Sequence, residues 1–195
     1  MSSEESETRT RVLEAAVRLL EARRGQSVRM GDIAKTAGIS RQAVYLHFAS
    51  RTDLLVAATR FLDEKLDVDS RLAPSRAATS GIERLRLYIE CWGNYIPEIY
   101  GIAKALLAMR DTDDAAAEAW DQRMRDVREG CEAAIDALAA DNMLSPDLPP
   151  NQATDLLWTM LSVRNWEQLT IGCGWPQARY IATLKSMARR IFVSD

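Results

Sequence analysis

The feature that most constrains this chain is a pair of short helical patterns joined at a glycine, within residues 27–55. In the first pattern apolar residues recur at i, i+3, i+4 and i+7, which places on one helix face Met30, Ile33, Ala34 and Ala37. Gly38 follows at once, and glycine takes the left-handed backbone that ends a helix without a steric penalty. Ser40 then offers a side-chain oxygen to cap a second helix over about 41–47. The pattern predicts a helix-turn-helix between Ser27 and Leu55.

The second of these helices has few residues that a protein core could bury. Val44 and Phe48 are its inward candidates, and the side chains left to point outward are Arg41, Gln42, Tyr45 and His47. A short helix with a polar, aromatic and cationic outer face is suited to the major groove of DNA. An ordinary helical hairpin inside an all-α core is the alternative that the spacing alone leaves open.

A third helix is predicted directly after the second. Ser50 and Asp53 have the spacing of a capping box, and the apolar positions that follow on one face are Leu54, Ala58, Phe61 and Leu62. We expect this helix to reach about Asp69. It should have stopped around residues 73–75, since Pro74 interrupts the hydrogen-bond ladder.

The segment Gly38 to Phe48, GISRQAVYLHF, resembles the DNA-binding signature of the tetracycline-repressor (TetR) family, and the resemblance extends over roughly residues 9–62. Two departures are visible. Ala43 stands where the family often has a small hydroxyl residue or glycine, and Arg51 stands where lysine is usual. The resemblance implies an all-α fold of about nine helices, with a three-helix helix-turn-helix DNA-binding domain over 1–52 and a helical ligand-binding and dimerisation domain over 53–195.

The candidate DNA contacts divide by chemistry. Arg41 and Gln42 can form paired hydrogen bonds to guanine and adenine edges respectively, while Ala43 offers only a methyl group to a thymine methyl. Phosphate contacts, which set register, are implied by the resemblance for Thr36, Tyr45, His47 and Arg51. For the single histidine of the chain, a structural role at a helix end stays open. The full predicted set is Arg29, Thr36, Ser40, Arg41, Gln42, Ala43, Tyr45, His47 and Arg51.

Charge is distributed unevenly along the chain. The whole sequence carries a formal charge of −3, but residues 9–60 hold ten Lys and Arg against four Asp and Glu, while residues 61–195 hold 15 against 21. A positively charged N-terminal part and an acidic remainder would orient the protein on a phosphate backbone. Double-stranded DNA is therefore the expected macromolecular partner.

Composition excludes several other classes of protein. The sequence has no apolar run long enough to span a membrane and no apolar segment typical of a secretion signal at its start, so we expect a cytoplasmic protein. Cys91, Cys131 and Cys173 lie far apart without a Cys-x-x-Cys pair, and one histidine rules out multi-histidine metal sites. No Gly-rich phosphate loop or Gly-x-Ser-x-Gly motif occurs. We therefore expect no enzyme activity, no metal and no cofactor.

Helical patterns continue through the remainder of the chain. Ser80 and Glu83 form a second predicted capping box, Pro97 is expected to begin another helix, and a long helix is predicted over about 112–140. After a loop over 141–150, a helix carrying residues 156–169 has so many apolar positions that it should be buried on more than one side. In the TetR family the last two helices form a four-helix bundle with a second copy. The predicted dimer interface is Leu161, Leu169, Tyr180, Leu184, Met187 and Ile191, with an intramolecular core as the alternative.

The body also carries more aromatic and sulfur-containing side chains than close packing requires. A largely apolar effector pocket is predicted to involve Tyr88, Trp92, Tyr95, Leu106, Met109, Trp120, Met124, Trp158, Asn165 and Trp166, although each of them could instead be ordinary core. The sequence thus favours a ligand-responsive DNA-binding regulator, a homodimeric repressor that binds a palindromic operator and is released by a small effector. A regulator without an effector, an activator and a helical protein-binding adaptor are the alternatives.

Overall fold

The computed structural model describes residues 3–25 and 28–194, which form ten α-helices and one π-helical segment. Ser27, the first residue of the predicted helix-turn-helix segment, lies outside the described residues. The helices are α1 Ser3–Ala22, α2 Met30–Ala37, α3 Arg41–His47, α4 Arg51–Leu66, α5 Val68–Arg76, α6 Gly81–Met109, α7 Asp114–Ala140, α8 Pro150–Met160, α9 Val163–Trp166 and α10 Gln177–Phe192, and the π-helical segment is Glu167–Gly172. The all-α class predicted from the sequence is confirmed.

The chain divides into two compact units, of which the first contains the described residues up to Asp67 together with Glu98–Gln122. In this unit α1 packs against α2 and α4, and α2 packs against α3. Val12, Ala16 and Leu20 of α1 are buried completely, as the helical spacing of apolar residues requires. The helix-turn-helix therefore rests on a scaffold of α1 and α4.

Parts of α6 and α7 belong to the same unit and are held by specific contacts. Gly101 of α6 lies so close to α1 that a Cβ added to it would stand 2.4 Å from the carbonyl oxygen of Leu20. Beside this crossing the Glu21 carboxylate accepts a hydrogen bond from the Gly101 amide at 3.1 Å. Asp113 accepts hydrogen bonds from the first backbone amides of α7 and from the Thr52 hydroxyl of α4. The start of α7 is thereby tied to the helix that follows the recognition segment.

The second compact unit contains Val68–Pro97 and the described residues from Arg123 onward. Its core includes the fully buried side chains Tyr95, Ile135, Leu138, Leu157 and Phe192. The Tyr88 hydroxyl of α6 donates a 2.7 Å hydrogen bond to the Val127 carbonyl of α7. Gly130 makes room for this ring, since a Cβ there would stand 2.3 Å from the Tyr88 oxygen.

The break after α4 differs from the sequence prediction. Its start agrees, because the Ser50 hydroxyl accepts a hydrogen bond from the Asp53 amide at 3.0 Å and completes the capping box. The helix ends at Leu66, and Asp67 takes a left-handed backbone with φ 47°, which aspartate tolerates better than most residues. Helix α4 has ended before residues 73–75, as expected, but Pro74 is not the cause, because these residues belong to a further helix, α5. Pro74 lies in the last turn of α5, where it removes the one hydrogen bond that its own amide would have donated.

The expectation that Pro97 begins a helix is wrong, because α6 continues through it for 29 residues in all. Proline has no amide hydrogen, so the carbonyl of Gly93, four residues earlier, loses its helical partner. The Gln177 side-chain amide of α10 donates to that carbonyl at 2.5 Å, and its oxygen accepts from the Trp166 indole at 2.9 Å. The missing backbone bond is replaced by a side chain 84 residues away.

The apolar helix predicted to carry residues 156–169 is interrupted. α8 ends at Met160, and the Ser162 hydroxyl accepts a hydrogen bond from the Asn165 amide at 3.2 Å and caps α9. Serine favours such a cap over continued helix because its hydroxyl competes for backbone groups. The π-helical segment and Gly174, with φ 70°, then lead into α10. None of the helices in the described part of the chain has the length and hydropathy needed to cross a bilayer.

Candidate nucleic-acid interface

The local structure of the helix-turn-helix follows the predicted pattern closely. The buried residues of α2 are Met30, Ile33, Ala34 and Ala37, the four that its spacing places on one face. Gly38 has φ 71° and ψ 31°, the left-handed conformation that favours glycine. The Ser40 hydroxyl accepts a hydrogen bond from the Ala43 amide at 3.0 Å, which caps α3.

Helix α3 is anchored at one face and open at the other. Val44 is completely buried, Phe48 directly after the helix is 3% exposed, and the Arg9 guanidinium lies 5.1 Å from the Phe48 ring centroid. The opposite face projects from the unit. Arg41 and Gln42 are exposed, and Tyr45 is 40% exposed. The helix therefore presents hydrogen-bonding side chains to solvent while two apolar residues hold it in place.

The predicted DNA contacts all lie in the first unit and none of them is fully buried. Those exposed are Arg29, Ser40, Arg41, Gln42 and Tyr45, and those half-buried are Thr36, Ala43, His47 and Arg51. Ser40 has a defined structural task as the cap of α3, and the histidine ring lies 6.5 Å from the Phe48 ring at a tilted angle. Accessibility is the property that a contact to DNA needs, and the roles of the individual residues stay predictions.

Two features of the charge distribution suit a polyanionic ligand. Arg41 stacks on the Tyr45 ring at 5.6 Å and reaches its hydroxyl at 3.4 Å, but neither Arg41 nor Arg51 has a carboxylate partner among the described residues. Asp32 of α2 is instead paired with Arg23 at 3.0 Å. The hydrogen bond from Arg23, with a second from the Arg29 amide, lowers the pKa of the Asp32 carboxyl. The arginines of α3 and of the start of α4 remain available to phosphates or bases.

The sequence spacing did not single out Leu46, which is 82% exposed on α3. A helix advances about 100° per residue, so position 46 lies opposite the mean direction of the buried pair Val44 and Phe48. Drawing the helix with those two residues inward would have placed Leu46 at the centre of the outward face. The sequence pattern assigned the outward face to the polar and aromatic neighbours of Leu46 instead.

The ten residues of the predicted effector pocket are divided between the units. Those in the first unit are Leu106, Met109 and Trp120, and those in the second are Tyr88, Trp92, Tyr95, Met124, Trp158, Asn165 and Trp166. In the second unit an aromatic row on α6 pairs edge to face, with ring centroids 6.3 Å apart for Tyr88 and Trp92 and 5.4 Å apart for Trp92 and Tyr95. Burial raises the pKa of the Tyr88 hydroxyl, which keeps the row neutral.

The residues predicted for the dimer interface differ in exposure. Leu161, Tyr180 and Leu184 are buried within their own chain, Leu169 is half-buried, and Met187 and Ile191 are 43% and 38% exposed. Leu156 of α8 and Ile171 of the π-helical segment are exposed as well. Four large apolar side chains of the second unit are thus exposed: Leu156, Ile171, Met187 and Ile191. Among the described residues no group of three or more His, Cys, Asp or Glu side chains is placed to hold a metal ion.

Comparison with known proteins agrees with the geometry of the first unit. A family model described as bacterial regulatory proteins, tetR family, matches residues 12–58. The transcriptional regulator AcrR of Shigella flexneri is 43% identical over 51 residues, which are 26% of this chain and 24% of the relative. The regulator TtgR of Pseudomonas putida is 36% identical over 72 residues (37% and 34%), and the nucleoid occlusion factor SlmA of a Marinomonas strain is 32% identical over 66 residues (34% and 34%). The matches span about a quarter to a third of these relatives' length.

Solved structures match the fold over nearly the whole chain at low sequence identity. A transcriptional regulator from Saccharomonospora viridis, in complex with choline, has a TM-score of 0.84 at 21% identity and covers 97% of this chain and 100% of its own. A TetR-family regulator from Rhodococcus sp. has a TM-score of 0.76 at 17% identity, with coverage of 95% and 98%. These likenesses concern the fold.

Proposed function

We propose that the chain is a member of the tetR family of bacterial regulatory proteins, whose family model matches residues 12–58, and that it is a transcriptional repressor controlled by a small molecule. The observation that carries the proposal is the exposed outer face of α3, held by a glycine turn and a serine cap inside the matched residues 12–58. Residues 1–52 would bind DNA, and residues 53–195 would bind the effector and a second copy of the chain.

In the proposed complex α3 enters the major groove. Arg41 and Gln42 read base edges, because their planar groups form paired hydrogen bonds with guanine and adenine. Thr36, Tyr45, His47 and Arg51 contact phosphates and fix the register, and Arg29, the N-cap residue of α2, contacts either the DNA backbone or a base. The lack of a carboxylate partner for Arg41 and Arg51 among the described residues supports this division, since such a partner would have to be displaced first.

We propose that the working form is a homodimer. One seven-residue helix has room for only a few base contacts, each worth about 1–3 kcal/mol of discrimination, which is too little to select one site in a genome. Two heads roughly 34–36 Å apart would read a palindrome. The exposed apolar side chains of the second unit, Leu156, Ile171, Met187 and Ile191, support pairing of the second units, since pairing would remove them from water. Sedimentation equilibrium at micromolar concentration should give the dimer mass, and a monomer mass would contradict the proposal.

We propose that the effector is small and largely apolar and binds among the aromatic side chains of the second unit, Tyr88, Trp92 and Tyr95 foremost. The aromatic row offers stacking surface, and no acceptor among the described residues meets hydrogen-bond geometry with the buried Trp92 indole nitrogen, which leaves this donor for one polar atom of a ligand. The solved neighbour in complex with choline supports a ligand-binding role for this fold. Release follows if the effector prefers the conformation that cannot bind DNA.

The decisive experiment is footprinting of the purified protein on the DNA beside its own gene, with affinity measured across a salt series. We expect two protected inverted half-sites and a logarithm of affinity that falls steeply and linearly with the logarithm of salt concentration. A helical adaptor for other proteins would give neither result. Absence of protection, or binding that salt does not weaken, would overturn the proposed function.

A further inference from the structure

Leu46 is an outlier among the exposed apolar side chains of the described residues. It is 82% exposed, whereas the other large apolar side chains that reach solvent are between 38% and 45% exposed. Its neighbour Tyr45 hides part of its ring under Arg41, but Leu46 has no such cover. A partner that covers this leucine would remove its apolar surface from water, which lowers the free energy of the complex.

The position of Leu46 on α3 indicates what would cover it. With about 100° between successive residues, Leu46 lies on the face opposite Val44 and Phe48, with Gln42 one turn earlier on nearly the same line. Arg41 and Tyr45 lie toward one flank and His47 toward the other. A duplex that meets Gln42 would therefore also meet Leu46.

We infer that Leu46 is an uncharged DNA contact that packs against apolar surface of the duplex and adds affinity independent of salt. This inference rests on the proposed function. A duplex offers such surface at thymine methyl groups in the major groove and along the edges of its deoxyribose rings. Leucine has no charge to displace counterions and no donor to read a base. Its contribution to affinity is therefore independent of salt, whereas that of an arginine–phosphate contact falls as salt rises.

The test compares three variants with the wild type on one probe, a duplex that the wild-type protein selects from a random-sequence library. Leu46→Ala should weaken binding roughly tenfold at every salt concentration, because two copies of a leucine lose part of their apolar packing. The slope of log affinity against log salt should stay unchanged. Arg51→Ala is the matched control, and it should reduce that slope by about one for each phosphate that is no longer neutralised. Leu46→Met should keep most of the affinity.

A second arm separates the two apolar surfaces. Deoxyuridine replaces the thymines of the selected duplex one at a time, which removes a single methyl group. A position where the wild type loses affinity and Leu46→Ala does not identifies a thymine methyl as the partner, and equal responses of both proteins at every position identify the deoxyribose edge.

The outcomes distinguish this contact from the proposed function itself. If the wild type selects a duplex with steep salt dependence and Leu46→Ala binds it equally well, the contact is overturned while the function stands. The contact is likewise overturned if Leu46→Ala changes the salt slope, or if it lowers the thermal midpoint, since the loss would then be structural. If the wild type selects no duplex, both the Leu46 contact and the proposed function are overturned.

Discussion

Helix α3 and the junction at which Gln177 bonds to Gly93 and Trp166 in the second unit use polar side chains in opposite ways. On α3, Arg41 and Gln42 extend into solvent, and the described part of the chain does not supply partners for their full hydrogen-bonding capacity. At the junction, Gln177 uses both ends of its amide inside the protein, one on the Gly93 carbonyl and one on the Trp166 indole. Helix α3 therefore leaves hydrogen-bonding capacity for an outside partner, whereas Gln177 uses its capacity to hold helices together. Substitutions should therefore affect binding in α3 and folding in the interior.

The largest expected effect tests the interior side of this contrast. Gly101→Ala should lower the free energy of unfolding by about 3 kcal/mol, because the new Cβ would stand 2.4 Å from a backbone oxygen of α1 that cannot rotate away. Urea unfolding measures the loss. Gly31→Ala in α2 is the matched control, since nothing lies within 4 Å of a Cβ there, and it should be neutral or stabilising by up to about 1 kcal/mol. Similar losses in both variants would contradict the close crossing of α1 and α6.

The second prediction addresses the junction itself. Gln177→Ala should destabilise the protein by about 2 kcal/mol, because it removes the hydrogen bonds that Gln177 makes to the Gly93 carbonyl and to the largely buried Trp166 indole. The exposed Gln168 provides the control, and Gln168→Ala should change stability by less than about 0.5 kcal/mol.

A double-mutant cycle sharpens this second prediction. Pro97→Ala restores an amide that can bond to the Gly93 carbonyl within α6. In that background Gln177→Ala should cost less than it does in the wild type, by an interaction energy of about 1 kcal/mol. Strict additivity of the two substitutions would show that Gln177 does not compensate for the proline.

The same two regions show how far a sequence determines a structure. The bounds of α2, its turn and α3 follow from neighbours within four residues, namely an apolar stripe, one glycine and one serine cap. At Pro97 the local signal points to a helix start, but the compensating side chain comes from α10 and no short-range pattern reveals it. The break at Ser162 had a local signal, a serine able to cap, which the apolar run around it concealed.

The candidate site, too, was predictable where local helix geometry decides which side chains are exposed. The accessible residues Arg41, Gln42 and Tyr45 follow from which positions of α3 must face the core. The exposure of Leu46 does not follow from hydrophobicity, which assigns leucine to the interior, but it follows from helix geometry, which assigns position 46 to the outside. Tyr180 and Leu184 of the second unit are apolar residues at a helical spacing that fits a core and a dimer interface equally well. The sequence therefore did not show that both are buried within their own chain.

The third prediction concerns a half-buried carboxylate of the first unit. Burial raises the pKa of Glu21 from 4.5 to about 7, against the opposing effect of hydrogen bonds from the Gly101 and Ile102 amides. The folded state therefore binds a proton more tightly than the unfolded state, and stability should fall as the pH rises from about 4.5 to 7. Because the carboxylate is partly exposed, solvent screening keeps the slope below the limit of about 1.4 kcal/mol per pH unit for one proton.

Urea unfolding across this pH range checks the third prediction. Glu21→Gln should flatten the decline, whereas Glu14→Gln, an exposed change on the same helix, should leave it in place. A decline of equal steepness in the wild type and in Glu21→Gln would show that another group is responsible.

The smallest effect on stability is expected on α3, where the effect on binding is the informative one. Arg41→Ala removes a stack on Tyr45 that lies entirely at the surface, so the free energy of unfolding should change by less than about 0.5 kcal/mol. On DNA the variant should lose preference at one base pair of each half-site, since a paired guanine contact is worth about 1–3 kcal/mol of discrimination. Selection from a library randomised at each half-site position measures this change. Arg190→Ala, an exposed arginine of α10, should alter neither quantity. If Arg41→Ala instead unfolds the protein as readily as Gln177→Ala does, then α3 is part of the interior and the contrast between the two regions fails.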